Sequence, residues 1–172
     1  MPLSCQSAPA MLQRREIASR IPHQGSMCLL DSVTSWDIDR INCVASSHRI
    51  ESNPLRAYGR LGAACGIEYA AQAMAVHSAL VAESQASAGD ALAAPKIGYL
   101  ASIRGLTLYV ERLDDLESAL TIHAERLSGD DSTLLYSFSL HAGPALLLSG
   151  RAAVVLDAGK LSPRATAPQP HE

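Results

Sequence analysis

A run of seventeen residues, from Gly66 to Ala82, constrains the fold more than any other part of the chain. It is rich in Ala together with Leu and Met and contains no Pro, which predicts an α-helix about 25 Å long. Apolar residues occupy nearly all sides of this helix, so it must be buried. The run contains Glu68, Gln72 and His77 and is shorter than the ~20 apolar residues that span a bilayer, which favours burial inside protein over insertion into a membrane.

The first turn of this helix holds the most informative side chain. Glu68 lies there, and Gln72 lies one turn later on the same face. A carboxyl group in the first turn of a buried helix is a candidate acid, although it can also serve only to satisfy the N–H groups of the helix start or a neighbouring Arg. His77 lies about 180° away around the helix, which predicts a hydrogen-bonded histidine of the core or of an interface.

Composition excludes several classes of function. The chain has 172 residues, enough for one domain with a sizeable core, and its formal net charge of −3 argues against a general nucleic-acid binder. The four cysteines form no CxxC pair and no cluster with histidines, so we expect free thiols in a reducing cytoplasm and no metal site. We expect a disordered leader over residues 1–12, a single domain over 13–157 and a flexible Pro-containing tail over 158–172.

Strand patterns lie on both sides of the helix. The sequence predicts two strands before it (26–37 and 40–48) and a four-strand antiparallel meander after it (98–113, 119–127, 132–141 and 145–156). One long buried helix with a single sheet available must be covered by that sheet curling round it. This is the hot-dog architecture, an α+β fold in which a curved antiparallel sheet of about six strands wraps around one long central helix. The open sheet edges favour pairing of two copies into a dimer.

Two histidines are candidates for chemistry with Glu68. His48 ends the second predicted strand and opens the long loop that returns to Glu68, and an imidazole with a carboxyl is the minimal acid–base pair. His23, in a Pro-His-Gln-Gly turn, is the rival imidazole. Either histidine could instead be a hydrogen-bonded residue of a turn or strand edge. Cys65, just before the helix, could be a nucleophile or a small packing residue.

Several segments together resemble a known family. The segment Ile21–Asp31 (IPHQGSMCLLD) resembles the opening PH…(M/F)LL(V/L)D segment of hot-dog 3-hydroxyacyl-[acyl-carrier-protein] dehydratases. Glu68–Ala73 (EYAAQA) resembles their helix-start E-A-x-x-Q segment, in which the acidic residue is catalytic. Asn53–Arg56 (NPLR), Gly59–Leu61 (GRL) and Gly66–His77 are similar to the predicted dehydratases of aryl-polyene biosynthesis clusters in bacteria. The resemblance covers residues 15–155.

The resemblance implies elimination of water from a 3-hydroxyacyl thioester to give the trans-2-enoyl product. His48 would take the proton from C2 and Glu68 would protonate the leaving hydroxyl at C3. Backbone N–H groups between Ala63 and Gly66 would polarise the thioester carbonyl. The family places its catalytic His in an H-F-P-G run about fourteen residues before the acid, whereas His48 precedes Glu68 by twenty residues and is followed by Arg-Ile.

The same resemblance assigns the remaining site residues and partners. His23 and Gln72, with the backbone at Ala63 and Gly66, would contact the substrate. An acyl carrier protein would present that substrate on its phosphopantetheine arm, and no metal or redox cofactor is implied. The basic residues Arg49, Arg56 and Arg60 before the helix would bind the acidic carrier, although such residues are usually only solvated surface charges. The family's acid and His come from different chains, so we expect a homodimer or a hetero-oligomer with another hot-dog protein.

Two other functions fit the same fold. The first is an acyl thioesterase in which Glu68 activates water. The second is a non-catalytic subunit that supports an active hot-dog partner, which the unusual loop after His48 favours. Analysis of the product separates the first from a dehydratase, because a thioesterase releases a free acid and a thiol.

Overall fold

The structure is a computed structural model that describes residues 12–86 and 98–156. Nearly all of the predicted leader and the whole predicted tail lie outside the described residues. Leu12, which the sequence assigned to the leader, belongs to the first strand of the sheet.

The described chain contains one antiparallel sheet of seven strands and one long helix. The strands are β1 (Leu12–Gln13), β2 (Ser32–Trp36), β3 (Arg40–Ala45), β4 (Tyr99–Leu108), β5 (Leu120–Gly129), β6 (Thr133–Ala142) and β7 (Ala145–Val155). The helices are α1 (Arg14–Ala18) and α2 (Gly66–Gln85), with short 3-10 turns at Gly25–Met27, Ser47–Arg49 and Ala63–Cys65. This is the predicted hot-dog fold, with the two-residue strand β1 added to the six expected strands.

Helix α2 is the centre of the core. Tyr69, Ala73 and Val76 have no solvent exposure, and they belong to one apolar cluster with residues of the sheet such as Ile122 and Leu140. At Gly66, where the helix begins, a Cβ atom would overlap the side chain of Leu148 on β7. Gly66 therefore allows the first turn of α2 to lie directly against the sheet. Among the described residues no helix is long and apolar enough to cross a membrane.

The order of the strands differs from the predicted meander. The sheet runs β1-β2-β3-β5-β6-β7-β4, so β4 pairs with β7 and lies at an edge, while β5 pairs with β3. Strand β3 aligns Ile41 with Ala124 and Cys43 with Ile122, and all four side chains are buried. Because β3 occupies that side of β5, β4 is left to pair with β7, and its other side has no neighbouring strand within the described chain.

His77 is a core histidine, as its position on the helix predicts. It is fully buried, with Nε2 2.8 Å from the carbonyl oxygen of Asp37 and Nδ1 2.8 Å from the hydroxyl of Tyr136. A carbonyl only accepts, so Nε2 carries the hydrogen and Nδ1 accepts from Tyr136. Burial lowers the pKa of His77 and keeps it neutral. His77 therefore ties α2 to β6 and to the turn between β2 and β3, and both its nitrogens are occupied.

Candidate active site

A carboxyl–imidazole pair lies at the start of α2. Oε1 of Glu68 is 3.0 Å from Nε2 of His23, and the two side chains are 32% and 27% exposed, respectively. Glu68 comes from the first turn of α2, and His23 comes from the segment between α1 and the 3-10 turn at Gly25–Met27. The two residues are therefore close in one chain, half-buried and open to a small molecule.

Gln72 fixes the orientation of this carboxyl group. Its Oε1 accepts the N–H of Leu29 at 2.9 Å, so its amide nitrogen must be the end that donates to Met27 O (2.8 Å) and to Glu68 Oε1 (3.0 Å). Gln72 is fully buried and does not line the cavity next to Glu68. The predicted role of Gln72 in substrate binding is therefore corrected to one of positioning, because all its hydrogen-bonding groups are used within the protein.

The two oxygens of Glu68 have different surroundings. Oε1 contacts both Gln72 and His23, whereas Oε2 is bonded by none of the described residues. Nδ1 of His23 is buried and likewise has no partner among the described residues. The pair therefore keeps one oxygen and one ring nitrogen free of competing bonds inside the chain.

A cavity of about 540 Å³ extends from this pair along α2. Its helix side consists of small residues, and its opposite side is the segment Arg20–His23, with Leu100 and Val154 from the sheet completing it. The segment Arg20–His23 is bound to α2 at both ends: His23 contacts Glu68, and the guanidinium of Arg20 bonds the carboxylate of Glu83 at 3.0 Å. A pocket of this size, mostly apolar and with few polar groups, is typical of small-molecule sites.

His48 lies elsewhere in the chain. It has no solvent exposure, its Nε2 is 3.1 Å from the carbonyl oxygen of Leu116, and it does not line the cavity beside Glu68. Burial lowers the pKa of His48, so its ring is neutral and Nε2 donates to the carbonyl. The predicted pairing of His48 with Glu68 is not formed within one chain, since Glu68 bonds His23 there. Pairing across two chains stays a prediction.

A buried network missed by the sequence reasoning holds the turn that carries His48. Ser47 Oγ donates to Leu29 O (2.8 Å) and so accepts from the Tyr69 hydroxyl (2.9 Å), which in turn accepts from Asn53 Nδ2 (3.1 Å). Tyr69 directly follows Glu68 on α2. The network therefore joins the 3-10 turn to the helix start, and no local sequence pattern indicates it.

Three of the four N–H groups expected to bind the thioester carbonyl are already engaged. The N–H of Ala63 donates to Glu111 O (3.0 Å) and that of Cys65 to Gly62 O (3.0 Å). The N–H of Gly66 closes the 3-10 turn by bonding Ala63 O. The assignment of Ala63 and Gly66 as N–H donors to the substrate is therefore corrected, since Glu111 O accepts the first group and the 3-10 turn before the helix uses the second.

The three arginines proposed to bind a carrier occupy different environments. Arg56 is 15% exposed, donates to His48 O (3.2 Å) and to Gly59 O (3.3 Å), and lies beside Asp114. Its role is therefore internal, which corrects the prediction for Arg56. Arg49 bonds Glu117 O at 2.7 Å with an exposed side chain, and Arg60 is exposed. For those two residues carrier binding stays a prediction.

Cys65 is not activated as a nucleophile. Its thiol donates to the carbonyl of Leu55, and burial raises its pKa. Cys28, Cys43 and Cys65 are all free thiols, as expected. Within the described ranges no group of three or more His, Cys, Asp or Glu side chains is placed to hold a metal ion.

Substitution of Gln72 by Glu tests its positioning role. We expect the pH profile of kcat/KM to move to higher pH by about one unit or more, because a negative charge at position 72 favours the protonated forms of the Glu68–His23 pair. The free energy of unfolding should fall by about 1–3 kcal/mol, because Met27 O loses its buried donor. Gln85→Glu, at the exposed end of the same helix, is the matched control and should change neither. An unchanged pH profile in Gln72→Glu would show that Gln72 is structural only.

The fold places the chain in the hot-dog class, and comparison with known proteins gives the family. The model of the ApeP-like family, described as ApeP dehydratase, matches residues 15–162, so the chain belongs to the ApeP-like dehydratases. Among curated proteins, none matches the chain.

Solved structures agree on the fold. The dehydratase heterocomplex ApeI:P from Xenorhabdus doucetiae matches with a TM-score of 0.69 and 23% identity, covering 82% of this chain and 90% of that one. Zebra fish thioesterase superfamily member 2 matches with a TM-score of 0.55 and 12% identity over 85% of this chain and 99% of that chain. A hypothetical thioesterase from Streptococcus pneumoniae, solved with coenzyme A, has a TM-score of 0.51 and 9% identity, over 73% and 84% of the two chains. At these identities the thioesterases share the architecture and give little support to the thioesterase alternative.

Proposed function

We propose that this dehydratase removes water from a 3-hydroxyacyl thioester carried by an acyl carrier protein and releases the trans-2-enoyl thioester. The observation that carries the proposal is the Glu68–His23 pair at one end of a largely apolar cavity. An acid and a base side by side are what an elimination needs, and the cavity suits an acyl chain.

In the proposed elimination His23 takes one proton from the substrate and Glu68 gives one to it. The C2–H bond breaks as its proton passes to the imidazole of His23, and the electron pair forms the C2=C3 double bond. The C3–O bond breaks as Glu68 supplies a proton to the hydroxyl, which leaves as water. In this step Glu68 is the proton donor and His23 the proton acceptor, so the pair holds one transferable proton before and after the reaction. Oε2 is the oxygen assigned to the hydroxyl, because Oε1 is bonded by Gln72 and His23.

The proposal replaces His48 by His23 as the base. A base must reach the proton that it removes, and His23 lines the cavity whereas His48 is enclosed and bonded to Leu116 O. His23 was predicted as a substrate contact, and this assignment keeps it at the substrate.

We also propose that a second hot-dog chain covers the open side of this site. Strand β4 is an edge strand with unusual apolar exposure: Tyr99 and Leu100 are 47% and 41% exposed, and Leu106 and Leu108 are exposed as well. Exposed apolar edge strands of this length are sites of strand pairing. Tyr99 and Leu100 also line the cavity, so a chain paired with β4 would lie beside the substrate. The heterocomplex composition of the X. doucetiae dehydratase supports a partner of a different sequence.

The direct test is an assay of the purified chain on 3-hydroxyacyl carrier thioesters, read by mass spectrometry. We expect a product lighter than the substrate by one water and still attached to the carrier. A free acid with a free carrier thiol would show a thioesterase instead. Turnover that appears only when a second hot-dog chain is added, and that survives substitution of Glu68, would show a supporting subunit. The cytoplasmic location of this reaction stays a prediction.

A further inference from the structure

We propose that three alanines of α2, Ala71, Ala75 and Ala79, form a ruler that sets the length of the acyl chain the enzyme accepts. The inference rests on the proposed dehydration at Glu68 and goes beyond it, because it assigns a direction to the substrate and a specificity role to named residues.

Ala71, Ala75 and Ala79 follow Glu68 by three, seven and eleven residues and line the same cavity. Residues three to four apart share one helix face, so the alanines form one row that begins at the reactive carboxyl. With a rise of ~1.5 Å per residue, Ala75 lies roughly 10 Å and Ala79 roughly 16 Å from Glu68 along the helix axis.

The segment Arg20–His23 runs beside this row, held by the His23–Glu68 contact at the near end and by the Arg20–Glu83 ion pair at the far end. Both Ile21 and Pro22 line the cavity between these two attachments. The near end thus offers proton-transfer groups, the middle is apolar, and the far end has Arg20, whose guanidinium is paired with Glu83. An acyl chain fits this order if C3 lies at Glu68 and the methyl end points towards Arg20.

A zigzag chain of ~1.5 Å carbon–carbon bonds advances roughly 1.3 Å per carbon, so about eight carbons beyond C3 reach Ala75 and about thirteen reach Ala79. A larger side chain at Ala75 therefore affects acyl chains longer than about ten carbons, and one at Ala79 affects only chains close to sixteen carbons. Each of these alanines lies beside a different part of the acyl chain, so the effect of a larger side chain depends on the length of the substrate.

The test measures kcat/KM for 3-hydroxyacyl thioesters of increasing chain length, in the assembly in which the unsubstituted enzyme turns over. For Ala75→Leu we expect unchanged kcat/KM on the shortest chains and a loss of about tenfold or more on chains of about twelve carbons and longer. For Ala79→Leu the loss should begin only at about sixteen carbons. Ala82→Leu makes the same change on an exposed position of α2 that does not line the cavity, and it should leave the length profile unchanged.

Ala75→Leu and Ala79→Leu also control for folding, because retained activity on short acyl chains shows that the site is intact. An equal loss at every chain length in Ala75→Leu would overturn the ruler and would place the phosphopantetheine arm along the helix instead. The same length profile in all variants would also overturn it. If the unsubstituted enzyme dehydrates no thioester, the proposed function fails. The role of the alanines is then tested by binding alone, through the rise in Tm that the same thioester series produces in each variant. A rise in Tm that follows chain length in the unsubstituted chain and is cut off earlier in Ala75→Leu would support it.

Discussion

Replacement of Glu68 by Gln is expected to lower kcat for dehydration by about 10²–10⁴-fold while the protein stays folded. Gln has the shape of Glu and still presents an oxygen to the donors of Gln72 and His23, so the hydrogen bonds at Oε1 can be kept. What is lost is the proton that Glu68 gives to the leaving hydroxyl. The contact with His23 is partly exposed, so its loss should cost less than about 1 kcal/mol of unfolding free energy.

The control for this variant lies on the same helix. Glu83 forms the ion pair with Arg20 at the far end of the cavity, and Glu83→Gln removes a carboxylate of the same kind. We expect Glu83→Gln to keep kcat on short-chain substrates, because no reacting atom reaches it. Single-turnover rates and thermal melts of both variants provide the comparison. Full activity in Glu68→Gln would remove this carboxyl from the mechanism.

The part of the structure that could be predicted is the part that depends on local pattern. The Ala-rich run predicts α2 and its first residue, and the structure extends the helix only from Ala82 to Gln85. Glu83 lies in this extension and bonds Arg20, so a contact distant in sequence stabilises the last turn. The place of His77 in the core was also predictable, because a helix fixes which residues share a face and His77 lies opposite Glu68.

The features that were missed depend on contacts between distant parts of the chain. His48 was expected at the end of a strand, but the strand ends at Ala45, and a 3-10 turn carries the ring towards Leu116. The position of β4 follows from β3 pairing with β5, which no pattern within β4 reveals. The N–H groups of Ala63 and Gly66 were expected to be free because a helix start usually leaves them so. Instead, Glu111 O accepts the N–H of Ala63, and the 3-10 turn before α2 engages that of Gly66.

His23 could have been chosen over His48 only by knowing its three-dimensional neighbours. Both histidines lie outside the long helix and the strands, and both have an unpartnered Nδ1 among the described residues. The difference is that Nε2 of His23 contacts a carboxylate at a cavity, whereas Nε2 of His48 contacts a backbone carbonyl in the core. Opposite outcomes for the two histidines are therefore the most direct test of the assignment.

We expect His23→Gln to lower kcat by about 10²-fold or more with little change in stability, because its contact with Glu68 is partly exposed and its loss removes the base. His48→Gln should keep kcat within a few-fold and lower the free energy of unfolding by about 1–3 kcal/mol, since a buried hydrogen bond is disturbed.

The pH dependence of stability separates the two residues further. Because burial lowers the pKa of His48 in the folded chain, the unfolded chain binds the extra proton first as pH falls below the ordinary histidine value of about 6.5. Stability is therefore lost on acidification, and His48→Gln removes the share of that loss due to His48. Denaturant unfolding of the unsubstituted chain and both variants between about pH 5 and 8 measures it. If His48→Gln instead abolishes turnover at full stability and His23→Gln does not, the base is His48 acting from a second chain.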